Sequence, residues 1–323
     1  MKIALRIGGL ILSALLAILL FGPRETFDRG AGFDAATLPA DLDAYLAAEE
    51  AAVPGMTPGA EKEIVWVGAK GEATALSLVY LHGFSASKEE IRPLPDVMAD
   101  ALGANLYYAR FTGHGRDGAA LAAASAGDWH RDALEALEIG RRIGERVIVI
   151  GTSTGATMAT IALADQEAAR GVAGFIAVSP NYRPKGAPLA LLTAPLARQL
   201  LPLAFGEERS WEPLNDGQAE WWTTRYPLTA VLPMAAAVEE ARSVEAEGIA
   251  TPALFIFAEA DQVVDHAATR EIAARWGGPV SLERIELGPN DDPFAHVIAG
   301  DILSPDQTAP IAAILLSWIE IIR

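Results

Sequence analysis

Val147-Ile148-Val149-Ile150-Gly151-Thr152-Ser153-Thr154-Gly155-Ala156-Thr157-Met158-Ala159-Thr160-Ile161-Ala162-Leu163-Ala164 is the stretch on which the fold turns. Its first four residues are β-branched and apolar, the pattern of a short buried strand. The residues from Ala156 onward read as a helix. A Gly-x-Ser-x-Gly, Gly151 to Gly155, therefore sits on a strand-to-helix turn, the context that lifts it above a chance match. Gly151 and Gly155 carry no side chain, so strand and helix can approach closely. Ser153 is expected in a strained backbone conformation, its hydroxyl raised above the end of the sheet. The helix aims its free N–H groups and positive dipole end at the same place. That geometry suits a nucleophile whose attack creates an oxyanion.

Outward from this turn, strands and helices alternate. Strands are predicted at residues 64–67, 76–81, 105–109, 175–179, 253–257 and 280–287. Helices are predicted at 38–52, 88–102, 128–143 and 309–322. From about residue 75 the alternation implies parallel pairing with helices on both faces. The strands are continuously apolar, as in a sheet buried on both sides. The fold class is α/β, with a mostly parallel central sheet. Ligands in such sheets bind beyond the carboxyl ends of the strands, where each motif named here falls.

The segment between Ser179 and the strand at 253 breaks the alternation. It is rich in proline and holds Phe205, Trp211, Trp221, Trp222 and Tyr226. A long segment without strand character inside a compact domain is usually functional. It reads as a helical cap whose aromatic and leucine side chains line an apolar pocket; the alternative is that they only pack it onto the body. The division along the chain is then 1–24 signal anchor or signal peptide, 25–60 linker and N-terminal helix, 61–180 first part of the core, 181–250 cap, and 251–323 second part of the core.

Lys2 and Arg6 precede an uncharged apolar run, residues 7–22. It has the form of a signal-type sequence, a little short for a membrane span although residues 3–22 are just long enough to cross, and without a small-x-small cleavage pattern. The expectation is an uncleaved anchor with the remaining chain on the non-cytoplasmic side; secretion or a periplasmic location after cleavage is the alternative. The formal charge is −17, from 42 acidic and 25 basic residues, so a nucleic-acid partner is not expected. The absence of cysteine excludes disulfides, thiolate metal sites and a cysteine nucleophile. The closing helix with Trp318 is either a packing helix or a dimer face, and oligomeric state stays open.

A serine hydroxyl needs an adjacent base. Of the five histidines, His296 lies in the loop between the last strand and the last helix, where the base falls in this topology. His266 follows Asp261 by five residues and reads as a surface or capping residue. The carboxylate that orients the base should end the strand before, and Asp261 is favoured over Asp265 and Glu259. Asp265 suits the cap of a helix beginning near His266. The oxyanion hole needs two backbone N–H donors, expected from Thr154 and from Phe84 in the loop after residues 76–81. His82, Gly83 and His114 are expected to shape the site rather than react.

The order His82-Gly83-Phe84, Thr112-Gly113-His114-Gly115, Gly151-Thr152-Ser153-Thr154-Gly155, Asp261, His296 resembles the α/β-hydrolase superfamily. Within it, the chain is similar to the monoglyceride lipase, lysophospholipase and serine-aminopeptidase-like branch. The resemblance spans about residues 60–323. It implies an α/β-hydrolase fold, a catalytic triad of Ser153, Asp261 and His296, oxyanion donors at Phe84 and Thr154, and a cap after Ser179. Arg110-Phe111-Thr112-Gly113-His114-Gly115 departs from the branch's usual Arg or Lys-x-Gly-His-Gly. The function expected is hydrolysis of carboxylic esters with an acyl chain, without metal or organic cofactor. Peptidase or amidase action, acyl transfer and a non-catalytic binding role are the alternatives.

Overall fold

The run at 147–150 lies at the centre of a seven-stranded sheet in a computed structural model that describes residues 13, 16–186 and 188–322. In chain order the strands are β1 (Glu63–Val65), β2 (Thr74–Leu81), β3 (Asn105–Tyr108), β4 (Gly144–Thr152), β5 (Val172–Val178), β6 (Glu208–Ser210), β7 (Arg225–Pro227), β8 (Ala253–Phe257) and β9 (Val280–Arg284). The sheet order is β1-β3-β2-β4-β5-β8-β9, and β6 pairs separately with β7. All neighbours in the large sheet run parallel except β1, which is antiparallel to β3.

The helices are α1 (Leu42–Ala51), α2 (Leu94–Leu102), α3 (Gly118–Ala123), α4 (Ala126–Ile143), α5 (Thr154–Leu163), α6 (Leu189–Leu192), α7 (Ala197–Phe205), α8 (Asp216–Trp221), α9 (Val231–Ser243), α10 (His266–Arg275) and α11 (Thr308–Ile322). Alternation along the strands sends side chains to two cores. Val79, Leu81, Val149, Phe175 and Phe255 pack with Trp129 of α4, Met158 of α5 and Leu232 of α9. Leu78, Tyr80, Ile148, Ile150, Ile176 and Ile256 pack with Met98 of α2 and Leu315 of α11. Burial on both faces explains the lack of a polar alternation in the central strands.

Several boundaries differ from the sequence expectation. The helix expected over 88–102 is a 3₁₀ turn at Lys88–Glu90 followed by α2, because Pro93 disfavours helical backbone at the residue before it. The last strand ends at Arg284, short of 287, and its side chains are mostly exposed at the sheet edge. The 180–253 segment is not strandless: β6 and β7 pair antiparallel within it. Trp318 is buried against the sheet, where a Cβ on Gly174 would touch its ring, so α11 packs inward there.

Most of the expected N-terminal anchor, residues 1–12, 14 and 15, lies outside the described residues. Residues 16–21 are helical. No helix among the described residues is long and apolar enough to cross a membrane.

Candidate active site

The carboxyl ends of β2, β4, β5 and β8 bring the motif residues together. At the end of β4, Ser153 sits at φ 51°, ψ −114°, a backbone conformation that costs a non-glycine residue energy. The turn holds it there: its N–H donates to the Val178 carbonyl at 2.9 Å, and its carbonyl accepts from Asn181 N–H at 3.2 Å. A Cβ on Gly155 would overlap the carbonyl oxygen of Leu81, so glycine lets α5 pass directly behind the end of β2. Ser85, Ser179 and Ala295 also have positive φ. These three flank the same end of the sheet, and strained residues of this kind cluster at functional sites.

Ser153 Oγ lies 3.0 Å from His296 Nε2. His296 Nδ1 lies 2.8 Å from Asp261 Oδ2. Since a carboxylate only accepts, Nδ1 carries the proton and Nε2 is free to accept from the serine. Asp261 Oδ1 is held in turn by the N–H groups of Val263 and Val264 at 2.7 and 2.9 Å. The three residues are 6%, 9% and 1% exposed for Ser153, His296 and Asp261. Burial works against a charged His296. The Asp261 carboxylate, by its charge and hydrogen bond, with Glu90 and Asp292 nearby, outweighs this and holds the imidazolium above the ordinary histidine value.

The rival residues are used elsewhere. Asp265 caps α10 through Ala267 N–H and pairs with Arg183 at 2.7 Å, a hydrogen bond that lowers its pKa. Glu259 is exposed and pairs with Arg270 and Arg284. His266 opens α10 and stacks on Phe257.

The loop after β2 is fixed from below. His82 Nε2 accepts from Phe111 N–H at 3.1 Å, so its proton is on Nδ1, which donates to the Gly83 carbonyl at 2.9 Å. Burial pushes the pKa of His82 down to about 4, which keeps the ring neutral. His114 is buried against His82, Phe84 and Trp129, and burial lowers its pKa too. Phe84 N–H and Thr154 N–H have no acceptor among the described residues. The Thr154 and Ser179 hydroxyls and Asn181 Oδ1 are also buried without a partner.

Several contributors were missed from sequence. Asp292 accepts from the N–H groups of Phe294, His296 and Val297 at 3.0, 2.9 and 2.9 Å and shapes the histidine loop. The Lys185 ammonium bonds the Asp261 carbonyl. Glu90 sits against Gly83. Only Asp292, four residues before His296 in a loop, offered a local signal. In the 180–253 segment, Tyr226 packs on Phe84 at 5.5 Å between ring centroids, and Thr223 N–H donates to the Ser85 carbonyl at 2.7 Å. Phe205, 67% exposed, faces solvent instead of a pocket. A cleft of about 720 Å³ beside Asp41, Trp66 and Arg142 lies at the amino ends of the strands and contains none of the residues around Ser153.

The family description "Alpha/beta hydrolase family" matches residues 78–300. The chain belongs to the alpha/beta hydrolase family. A search of curated proteins returns no match. Among solved structures, this α/β hydrolase is similar to one described with LipS and LipT, two metagenome-derived lipolytic enzymes: 23% identity, 82% of this chain and 99% of that one covered, TM-score 0.66. It is also similar to the monoacylglycerol lipase of Paleococcus ferrophilus (14%, 81% and 98%, TM-score 0.56). A third is the ferulic-acid-bound Est1E of Butyrivibrio proteoclasticus (14%, 80% and 93%, TM-score 0.54). At these identities the likeness speaks for the shared fold.

Proposed function

We propose that this α/β hydrolase cleaves carboxylic esters through a Ser153–His296–Asp261 acyl-enzyme mechanism. The observation that carries the reading is the unbroken relay from Asp261 Oδ2 to His296 to Ser153 Oγ, with steps of 2.8 and 3.0 Å. In this mechanism Ser153 Oγ attacks the ester carbonyl carbon while His296 Nε2 takes its proton. The carbonyl oxygen, now negative, is received by the N–H groups of Phe84 and Thr154. His296 then protonates the departing alcohol. Water attacks the acyl-enzyme with His296 again as base, and Ser153 is freed. The relay needs no metal or cofactor.

An acyl chain as part of the substrate is supported by the lipolytic and monoacylglycerol lipase enzymes among the similar folds. Residues 181–250 act as the cap, and the N-terminal apolar run attaches the enzyme to a membrane.

The test is turnover of chromogenic esters from acetate to long acyl chains, with Ser153→Ala beside the wild type. Activity that rises toward medium or long chains and disappears in the variant is the expected result. Activity confined to acetate removes the acyl-chain part. No turnover and no covalent labelling of Ser153 by a fluorophosphonate overturns the mechanism.

A further inference from the structure

Glu90 is a buried carboxylate, 2% exposed, that the mechanism above does not use. It closes the 3₁₀ turn at Lys88–Glu90 and turns inward beneath the loop after β2. Its Oε2 accepts from Gly83 N–H at 2.7 Å. The same oxygen lies 3.0 Å from the Tyr80 hydroxyl, which lies 3.2 Å from Thr152 Oγ1. Thr152 directly precedes Ser153. One carboxylate thus ties the peptide that leads into Phe84 to the strand end that carries the nucleophile. The contact is close enough that a Cβ on Gly83 would sit 2.5 Å from Glu90 Oε1.

We propose that Glu90 is a positioning residue: by holding the Gly83 peptide it aims the Phe84 N–H at the oxyanion. The assignment rests on the ester-hydrolase reading. A buried carboxylate is costly, and a negative charge near a developing oxyanion opposes the reaction. Simple core packing would be served better by leucine. What the carboxylate adds is reach and an acceptor for a backbone N–H that has no strand partner.

The groups facing Glu90 are Tyr80 from β2, itself bonded to Thr152 of β4, the Gly83 peptide and His296 from the loop after β9. On its own turn, Lys88 pairs with Glu63, and Glu89 with Arg92. Burial raises the pKa of Glu90 to about 7, against the opposing pull of Gly83 N–H, His296 and Tyr80. Both protonation states keep an oxygen that accepts from Gly83 N–H, so the hold does not depend on the charge.

Two substitutions separate reach from charge. Glu90→Gln keeps length and an acceptor but removes the charge. Glu90→Asp keeps the charge but is one methylene short of Gly83. Active sites are counted by fluorophosphonate labelling carried to completion, and melting temperatures are recorded. The expected result is that Gln leaves kcat per active site within about threefold. Asp lowers kcat about 10–100-fold, a fraction of what losing an oxyanion donor costs, with KM within about threefold and labelling slowed in parallel. Loss in Gln with retention in Asp overturns the proposal in favour of a charge effect on His296. Retention in both, or an equal fall in both that tracks melting temperature, overturns it as well. A wild-type chain that neither hydrolyses esters nor takes the label defeats the esterase reading itself, and Glu90's role with it.

Discussion

At the scale of single residues, His296 is the pivot. Its pKa is raised above the ordinary 6.5 because the Asp261 carboxylate outweighs the cost of burial. In the proposed mechanism His296 must be neutral to take the serine proton, so kcat/KM is expected to rise with pH through the folded-state value, with its midpoint above 6.5. Asp261→Asn removes the charge that raises the pKa. The acid limb then moves to lower pH, and kcat falls by about 10⁴-fold, the size seen when a triad carboxylate becomes an amide. A pH–rate profile of both forms checks sign and size; an unmoved limb would mean Asp261 does not govern His296. Asp292→Ala strips the acceptor from three N–H groups around His296. At about 1–3 kcal/mol for each group left unpaired, less whatever water recovers, it should lower both melting temperature and kcat while KM changes little.

At the scale of elements, the nucleophile turn was legible because its signals are local: a β-branched strand, two glycines and a helix within eighteen residues. β8 was likewise readable, to the residue, from its apolar run. Elements whose form depends on distant partners were not. β1 was expected over 64–67, but its bounds, Glu63–Val65, are set by antiparallel pairing with β3, Ile64 opposite Tyr107. The sequence favoured Asp261 over Asp265 from its place at a strand end. The division of labour between them becomes physical only once Arg183 is seen to occupy Asp265. Glu90 was invisible because its partner Gly83 and its neighbour His296 meet it only in the folded chain. Gly155 makes the elbow's demand testable. Any Cβ there meets backbone of Leu81 and His82, which no rotamer can relieve. Gly155→Ala should cost about 1–3 kcal/mol as overpacking does and reduce kcat by shifting Ser153. Chemical denaturation together with ester turnover would show it. A variant of wild-type stability and rate would mean α5 can move away from β2 freely.

At the scale of the whole molecule, charge and apolar surface point to different partners. A net charge of −17 repels anionic membranes, so any attachment to a bilayer would have to come from apolar contact. Leu16, Leu19, Leu20 and Phe21 are exposed, and so are Leu200, Leu203 and Phe205 of α7. The two segments are joined: Leu196 N–H donates to the Pro23 carbonyl at 2.8 Å, and Arg198 pairs with Glu25 at 2.7 Å. If this joined surface meets lipid, the full chain should float with phosphatidylcholine vesicles and stay bound at about 1 M salt, where screening reaches only about 3 Å. Adding anionic lipid should weaken binding rather than strengthen it. Leu203 is 84% exposed, and burying such a side chain is worth about 1.5–3 kcal/mol. Leu203→Glu should therefore lower the vesicle partition coefficient about tenfold or more while leaving acetate-ester turnover unchanged. The separation matters, because a soluble short ester does not require the membrane and a vesicle-borne one does. Binding that grows with anionic lipid and is lost in salt would show that charge, not the apolar surface, brings the protein to the membrane. Partition untouched by Leu203→Glu would leave the attachment to the N-terminal run alone.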